Sequence, residues 1–194
     1  MSAPAGAPRA DRKPAAVRRA EIIHAATLEF AETGLAGTSL EVIAARAGIS
    51  HPRIVQMFGA KRAVFLAVVE ATFDRIDDAF AEAAPAGSRS ELVALGDAYR
   101  RLLQRDRSIG LVMLQGYAAA ADDVVREVVS RRYLALQRSV AQRTGADALQ
   151  VRTFFATGLV VTVSTVLMLP GRRTDATWGA WLLDLVDPAE PPRA

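Results

Sequence analysis

The segment at residues 38–61 constrains the fold most, because it carries the signals of two short helices joined by a tight turn. Thr38 is predicted to cap the first helix, and Glu41, three residues later, completes a capping box. Gly48 ends that helix, since a helix C-terminus favours a residue that adopts positive φ. Ser50 then caps the second helix, so the segment predicts a helix-turn-helix.

The second helix of this pair has two chemically different faces. Ile54 and Phe58 are four residues apart and share the side that meets the core. Pro52, Arg53 and Gln56 point the opposite way at 3.6 residues per turn. Arg can pair with guanine and Gln with adenine through two hydrogen bonds each, which favours a helix that reads the DNA major groove. The alternative is an ordinary helical hairpin with a solvated face.

The flanking sequence extends this pattern without gaps over about a quarter of the chain. The pattern consists of Ile22, Ala25, Ala26, Phe30, Gly34, Thr38, Ser39, Leu40, Ile43, Ala44, Ala47, Gly48, Ile49, Ser50, Phe58 and Lys61. In order and spacing, residues 19–65 resemble the N-terminal domain of TetR-type transcriptional regulators. The resemblance implies a set of DNA-contacting residues: Thr38, Ser39, Ser50, His51, Pro52, Arg53, Gln56, Met57 and Lys61.

Three positions of the second helix depart from the family pattern. The family usually has Gly where Pro52 stands, Tyr where Val55 stands and His where Met57 stands. The Tyr and His typically contact phosphate, and Val and Met cannot make those hydrogen bonds. Arg53, Lys61 and the neighbouring Arg62 are the candidates to replace those contacts.

The net positive charge of the chain lies in its first third. Residues 1–62 contain nine Lys or Arg and five Asp or Glu, whereas residues 63–194 contain fifteen and sixteen. The excess of +4 therefore lies with the helix-turn-helix, as a phosphate-binding module requires. Residues 1–14 are rich in Ala, Pro and Gly and are predicted to be disordered. This basic stretch is either an arm that lies along DNA or a solubilising tail.

The remaining sequence predicts an all-α chain of about nine helices. We expect a helix-turn-helix domain over residues 15–62, a larger helical domain for effector binding and dimerisation over 63–187, and a tail over 188–194. The predicted helices cover residues 15–33, 39–47, 51–58, 61–84, 89–105, 109–119, 122–144, 147–169 and 174–186. Asp122 and Asp147 are predicted to cap the seventh and eighth of these helices.

The resemblance also implies functions for the larger domain. Its middle helices would enclose an effector pocket, and its last two helices would form a dimer interface; core packing is the alternative for both sets. The pocket candidates are Tyr99, Leu103, Met113, Gln115, Tyr117 and Phe154. The interface candidates are Phe155, Leu159, Thr162, Val166, Trp178 and Trp181. The pocket set carries no charge, so the expected effector is small, neutral and mostly apolar.

Other classes of function find little support in the sequence. The chain has no cysteine, and its two histidines, His24 and His51, have no partners at metal-ligand spacing, so we expect neither a metal nor a cofactor. No nucleophile–base pair or Gly-rich phosphate loop indicates an enzyme. No signal peptide is recognisable, and the uncharged run at residues 153–169 is shorter than the ~20 residues of a membrane span, which favours a cytoplasmic protein.

We therefore expect a homodimeric transcriptional repressor that binds an operator in double-stranded DNA and is released by its effector. Linkage requires that an effector which prefers the shape with badly spaced recognition helices weakens DNA binding. The alternative is a helical interaction protein with a degenerate helix-turn-helix, which would lack salt-dependent affinity for duplex DNA.

Overall fold

The computed structural model describes residues 14–83 and 91–169, and within them the chain forms eight α-helices and no strand. The ninth predicted helix, with Trp178 and Trp181, lies outside these residues, as do most of the basic arm and the C-terminal tail. The helices are α1 (Ala15–Gly37), α2 (Leu40–Ala47), α3 (His51–Phe58), α4 (Lys61–Ala81), α5 (Glu91–Arg105), α6 (Ser108–Ala118), α7 (Asp123–Thr144) and α8 (Ala148–Val166).

Helices α1, α2 and α3 pack around a small apolar core that α4 completes. Ile22, Ile43 and Ile54 contribute one fully buried side chain from each of the first three helices. Phe30 of α1 meets Phe65 of α4 edge to face, with ring centroids 5.0 Å apart. The helix-turn-helix is therefore fixed to the start of a helix that continues for 21 residues into the second half of the molecule.

The end of α1 differs from the predicted end at residue 33. The helix continues to Gly37 across a kink at Gly34, whose φ of 68° and ψ of −177° are not helical. Only glycine adopts this combination readily, because it lacks a Cβ. The side chain of Gln115 on α6 fills the space beside Gly34, where an added Cβ would lie 2.4 Å from its Oε1. The kink therefore lies at a contact between α1 and the second half.

The predicted cap at Thr38 is wrong. Ser39 is the N-cap of α2, and its hydroxyl accepts a hydrogen bond from the Val42 N–H at 3.3 Å. Thr38 is buried, and its hydroxyl donates to the carbonyl of Gly34 at 2.8 Å. Thr38 thus closes the C-terminus of α1, because its position after the Gly34 kink brings its side chain onto the last turn of that helix.

The larger half is a bundle in which α4 packs against α5, α6 and α7, and α8 packs against α5, α6 and α7. The predicted caps of the last two helices are confirmed. Asp122 accepts hydrogen bonds from the N–H groups of Val124 and Val125. Asp147 caps α8 and forms a capping box with Gln150. These two caps set where the long helices begin and so align their inner faces.

Helix α8 has one buried face and one exposed apolar face. Val161 and Thr162 are buried within the subunit. The opposite side carries exposed residues at alternating spacings of four and three, namely Leu149, Thr153, Ala156, Val160, Val163 and Leu167. We call these six residues the α8 seam. Among the described residues, α8 is also the one helix long and apolar enough to span a membrane by length and composition.

Candidate functional site

The outer face of α3 forms a small polar surface above a buried anchor. Ile54 is fully buried, as predicted, and α3 packs against α2 and α4. Pro52, Val55 and Gln56 are exposed on the other side. Phe58 is half-buried, and the guanidinium of Arg19 from α1 lies 4.3 Å from the centre of its ring. The helix is therefore held on its inner side by packing alone, which leaves the outer side available for a groove of DNA.

Arg53 and Gln56 act as one polar unit on this face. The Arg53 Nη1 donates to Gln56 Oε1 at 2.6 Å. Each side chain keeps further N–H donors that this bond does not use, since Arg has five and the Gln amide has two. The pair therefore presents several hydrogen-bond donors from adjacent turns of α3, in a form suited to the acceptor edges of bases in the major groove.

Lys61 performs a structural role in addition to its position at the start of α4. Its Nζ donates to the backbone oxygens of Thr38 at 2.8 Å and Ala36 at 3.3 Å. These bonds join the end of α1 to the start of α4, which brings the two ends of the helix-turn-helix together. The next residue, Arg62, is exposed and donates to Asp122 at 3.0 Å. This ion pair lowers the pKa of Asp122 below its ordinary value.

The other predicted DNA contacts divide between surface and interior. Ser39 lies at the start of α2, and Ser50 is exposed at the start of α3 without a side-chain capping bond. His51 Nε2 lies 3.6 Å from a carboxylate oxygen of Glu41. Met57 packs on the core, so it lies beside the outer face rather than on it. With Thr38 buried, the surface set consists of Ser39, Ser50, His51, Pro52, Arg53 and Gln56.

The second half of the molecule contains a cavity of about 350 Å³ that is partly open to solvent. Five helices and the α6–α7 turn contribute to its wall. The lining residues are Ile76, Phe80, Tyr99, Met113, Tyr117, Ala120, Arg126, Val129, Ser130, Tyr133, Leu136, Phe154, Phe155, Gly158, Leu159 and Thr162. This volume and the mostly apolar lining are those of a small-molecule site.

Four of the six predicted pocket residues, Tyr99, Met113, Tyr117 and Phe154, come together around this cavity. Leu103 is fully buried and lies against Gly110 of α6, outside the cavity wall. Gln115 faces Gly34 of α1. These two residues share helices with lining residues but point in other directions.

Burial favours the neutral form of two cavity tyrosines, Tyr99 and Tyr117. Tyr99 is buried, and its hydroxyl lies 2.7 Å from the hydroxyl of Thr162. Burial raises the pKa of Tyr99 to about 12, partly offset by that hydrogen bond. Burial also raises the pKa of Tyr117, and the neighbouring Tyr99 and Tyr133 add to the effect. The wall therefore offers neutral phenols as hydrogen-bonding groups.

Sequence reasoning missed the contribution of α7 to the cavity. Its lining residues are Arg126, Val129, Ser130, Tyr133 and Leu136, at the spacing of one helical face. This periodicity is visible in the sequence, but none of the predicted pocket residues was taken from α7. Arginines on the other faces of α7 pair with acids on α4: Arg131 binds Glu70 at 2.6 Å, and Arg132 also binds Glu70.

The predicted interface residues are divided by the structure between the surface and the interior. Leu159 is half exposed at the cavity rim, and Phe155 lies in the cavity wall. Thr162 bonds Tyr99, and Val166 contacts Gly110, so both lie inside the subunit instead of on its surface. The helical phase of α8 was misjudged, because its polar and apolar residues do not separate into two faces. The exposed apolar residues are those of the α8 seam.

A helix-turn-helix with an exposed polar recognition helix, fixed to a helical domain that contains a ligand-sized cavity, defines a class of DNA-binding regulators. Residues 22–68 match the family described as bacterial regulatory proteins, tetR family. The chain is 28% identical over 142 residues to the HTH-type transcriptional activator FasR of Mycolicibacterium smegmatis, a match that covers 72% of this chain and 60% of that protein. The chain thus aligns with less than two thirds of the length of this curated relative.

Solved structures share the fold over nearly the whole chain. A TetR-like transcriptional regulator from Rhodococcus sp. RHA1 has a TM-score of 0.64 at 24% identity and covers 89% of this chain and 94% of its own. GusR of Salmonella enterica has a TM-score of 0.66 at 21% identity and covers 88% and 93%. The chain therefore carries a segment that matches the tetR family at its N-terminal helix-turn-helix, and over most of its length it shares the fold of these solved structures.

Proposed function

We propose that the protein is a homodimeric repressor that binds a specific operator and loses affinity for it when a small molecule occupies the cavity. The observation that carries this proposal is the outer face of α3, where Arg53 and Gln56 project from a helix anchored only by its inner side. Bidentate contacts from Arg to guanine and from Gln to adenine are the commonest means of reading base pairs from such a helix.

The dimer is proposed from the α8 seam. Its six residues follow the alternating spacing of a coiled-coil contact, and most are apolar yet exposed in the subunit. An isolated subunit would leave this stripe in water, which is the usual sign of a protein interface. A two-fold pair of subunits would also present two α3 helices to the two halves of a palindromic operator. The same stripe accounts for the membrane-like composition of α8 without a membrane and agrees with a cytoplasmic protein.

Coupling between cavity and DNA is proposed to pass through α4 and α6. Ile76 and Phe80 of α4 line the cavity, and the same helix begins at Lys61, which holds the end of α1. Met113 and Tyr117 of α6 line it from the other side, while Gln115, between them in sequence, packs on Gly34 of α1. A ligand that shifts either helix changes the position of α3 and hence the spacing of the two recognition helices.

The test of DNA recognition is a gel shift with DNA fragments from beside the protein's own gene, at two salt concentrations. We expect one fragment to bind much more tightly than the others, and Arg53→Ala and Gln56→Ala each to weaken that binding about ten-fold or more. Arg131→Ala is the matched control, because Arg131 is exposed but pairs with Glu70 on a different surface.

Weak binding that is equal for all fragments and abolished by salt would contradict sequence-specific recognition. The helical interaction protein with a degenerate helix-turn-helix would then be the better hypothesis, with Val55 and Met57 as the responsible departures. Loss of binding in Arg131→Ala to the same degree as in Arg53→Ala would contradict the assignment of α3 as the reading element.

The dimer is tested by sedimentation of variants in the α8 seam. We expect Val163→Glu and Leu167→Glu to convert the dimer into monomers, because each places a charge in an apolar contact. Val42→Glu on α2 is the control, since Val42 is similarly exposed but lies outside the seam. A wild-type protein that sediments as a monomer at micromolar concentration, or seam variants that remain dimeric, would overturn the proposed interface.

The name of the M. smegmatis relative, a transcriptional activator, favours a second candidate. In this case the protein would bind DNA through the same surface but would increase transcription and not block it. A reporter gene behind the bound fragment distinguishes the two. Repression predicts higher expression when the gene for this protein is deleted, whereas activation predicts lower expression.

A further inference from the structure

We infer that the ligand of the cavity is an elongated molecule with an apolar body and a single acidic group, and that Arg126 at the cavity wall binds the acid. This inference rests on the proposed ligand-binding role of the cavity, and it replaces the neutral effector expected from the sequence. It assigns a chemical class to a site whose occupant is otherwise undefined.

The charge balance of the cavity wall supports an anion. Arg126 is the one charged residue among the sixteen described residues that line the cavity, and no Asp or Glu belongs to this set. A ligand with a positive group would meet the guanidinium of Arg126 at the cavity wall, and the repulsion between like charges is unfavourable. A ligand with one negative group would meet an opposite charge that is fixed in place.

The position of Arg126 on α7 gives the ligand an orientation. Arg126 is at the first of the cavity-facing positions of this helix, beside the α6–α7 turn, and Leu136 is at the last. Ten residues at 1.5 Å each place these two positions roughly 15 Å apart along the helix axis. Ser130 lies one turn after Arg126, and the positions beyond it carry Tyr133 and Leu136. The polar groups of α7 therefore lie toward one end of the cavity.

The guanidinium of Arg126 has hydrogen-bonding capacity beyond its present contacts. Its Nη1 donates to the carbonyl of Ala120 at 3.1 Å, and its Nη2 donates to Asp123 at 2.6 Å. The first bond holds the side chain at the cavity wall, because Ala120 is itself a lining residue. The Asp123 side chain is 85% exposed, so this ion pair is screened by water and is easily exchanged for a ligand carboxylate.

The aromatic part of the wall could by itself accept either sign of ligand charge. Phe80, Tyr99, Tyr117, Tyr133, Phe154 and Phe155 present ring faces and edges, and ring faces attract cations. Edge-to-face contacts order these rings, for example Tyr133 against Tyr117 and against Phe155. Within residues 14–83 and 91–169, the hydroxyls of Tyr117 and Tyr133 have no hydrogen-bond partner. Such hydroxyls can donate hydrogen bonds to an anion, so Arg126 and the two phenols all favour a ligand with a negative charge.

The inference is tested by calorimetric titration of the full chain with three probes of equal chain length. These are decanoate and decyltrimethylammonium, each below its micelle concentration, and 1-decanol below its solubility limit. We expect decanoate to bind about ten-fold or more tightly than decanol, because a hydrogen bond to a charged group contributes more than a neutral one. We expect decyltrimethylammonium to bind most weakly of the three.

Two matched variants locate the effect. Arg126→Gln removes the charge but keeps an amide donor, and we expect it to reduce the preference for decanoate over decanol to about three-fold or less while decanol binding stays unchanged. Arg131→Gln removes the same charge five residues further along α7, where Arg131 faces Glu70, and should leave the preference intact. An unchanged thermal midpoint of each variant shows that the helix is still folded.

Three outcomes would overturn the inference: equal binding of decanoate and decanol, stronger binding of the cationic probe, or no binding of decanoate at all. A preference for decanoate that survives in Arg126→Gln would overturn the role of Arg126. The regulatory proposal fails separately. If decanoate binds as expected but gel-shift affinity for the operator fragment is unchanged, the ligand class holds and effector control of DNA binding does not.

Discussion

The helix-turn-helix and the cavity domain present their functional groups in opposite ways. In α3 the groups that we assign to DNA reading project outward from one eight-residue helix, and their geometry depends on a single buried anchor, Ile54. In the cavity the functional groups point inward from five helices and one turn. The first arrangement is specified by residues close in sequence, and the second requires residues such as Tyr99 and Thr162, which are 63 positions apart, to meet.

The difference shows where local sequence signals are sufficient and where they are not. A recognition helix needs a correct inner face, and everything else on it is then exposed by default. A cavity wall needs each helix to have the correct rotation about its own axis, since a turn of 100° replaces one lining residue by its neighbour. The contact of Gln115 with Gly34 joins the two regions, because Gln115 lies on a helix of the cavity domain and Gly34 lies on α1 of the helix-turn-helix domain.

The largest expected effect is at this contact. Gly34→Ala should reduce the free energy of unfolding by about 3 kcal/mol, because φ of 68° with ψ of −177° lies in a region open almost only to glycine. The displaced group is the mobile end of the Gln115 side chain, so Gly34→Ala combined with Gln115→Ala should recover little of the loss. Urea denaturation of the single and double variants measures both.

Gly48→Ala is the matched control within the helix-turn-helix. Gly48 also has positive φ, 64°, but with ψ of 34° it lies in the left-handed helical region, and an added Cβ would meet nothing within 4 Å. We expect a loss of about 1 kcal/mol. Equal losses at the two glycines would mean that the kink at the contact between the halves is no more demanding than an ordinary helix end. A large recovery in the double variant would identify Gln115, and not the backbone, as the cause.

These two glycines also illustrate how much of the molecule could be predicted from the sequence. The sequence predicted that a helix would stop near each of them, and all eight described helices were expected. The predicted role of Thr38 as an N-cap was wrong because α1 continues past the kink at Gly34 to Gly37. Thr38 therefore lies at the end of α1 and not at the start of α2. A neighbouring cap, Ser39, performed the predicted function instead.

The candidate sites were predicted unequally for the same physical reason. Arg53 and Gln56 followed from the inner face of one short helix. Leu103 and Gln115 share helices with cavity residues but point elsewhere, and Arg126 was not among the predicted lining residues. Both errors arise because the rotation of a helix within a bundle depends on long-range packing. The face of α8 was misassigned because nearly all its residues are apolar or small, which leaves no periodic signal to fix its rotation.

The next largest expected effect is a dependence of stability on pH that arises from Tyr99 in the cavity wall. Tyr99 has a pKa near 12 in the folded protein, against 10 for an exposed tyrosine. The unfolded chain therefore binds fewer protons between these values, and the free energy of unfolding should fall as pH rises from 10 to 12. The full pKa difference corresponds to about 3 kcal/mol, at about 1.4 kcal/mol for each pH unit. Denaturation at several alkaline pH values measures this slope.

Tyr99→Phe is the variant that isolates this contribution, because it keeps the ring and removes the ionisable hydroxyl. It should be less stable than the wild type at pH 7, where the hydrogen bond to Thr162 is intact, and should show a shallower fall above pH 10. Tyr117, whose pKa burial also raises, contributes a remaining slope. Identical slopes in the wild type and the variant would show that the Tyr99 hydroxyl has contact with water, contrary to its burial in the structure.

The smallest expected effect tests whether local signals are equally strong in the two halves. The sequence predicts N-caps at Ser50 in the helix-turn-helix and at Asp147 in the cavity domain. The Asp147 side chain accepts from the N–H groups of Leu149 and Gln150 at 2.8 and 2.9 Å, whereas Ser50 makes no side-chain capping bond. Asp147→Ala should therefore cost about 1 kcal/mol of stability. Ser50→Ala should cost a few tenths of a kcal/mol or less, because the Ser50 hydroxyl makes no capping bond and is available to bind a phosphate.

The contrary outcome is that Ser50→Ala destabilises the protein as much as Asp147→Ala. Ser50 would then be a structural cap and would leave the DNA-contacting set, so that Arg53, Gln56 and the residues beside them would form the whole reading surface.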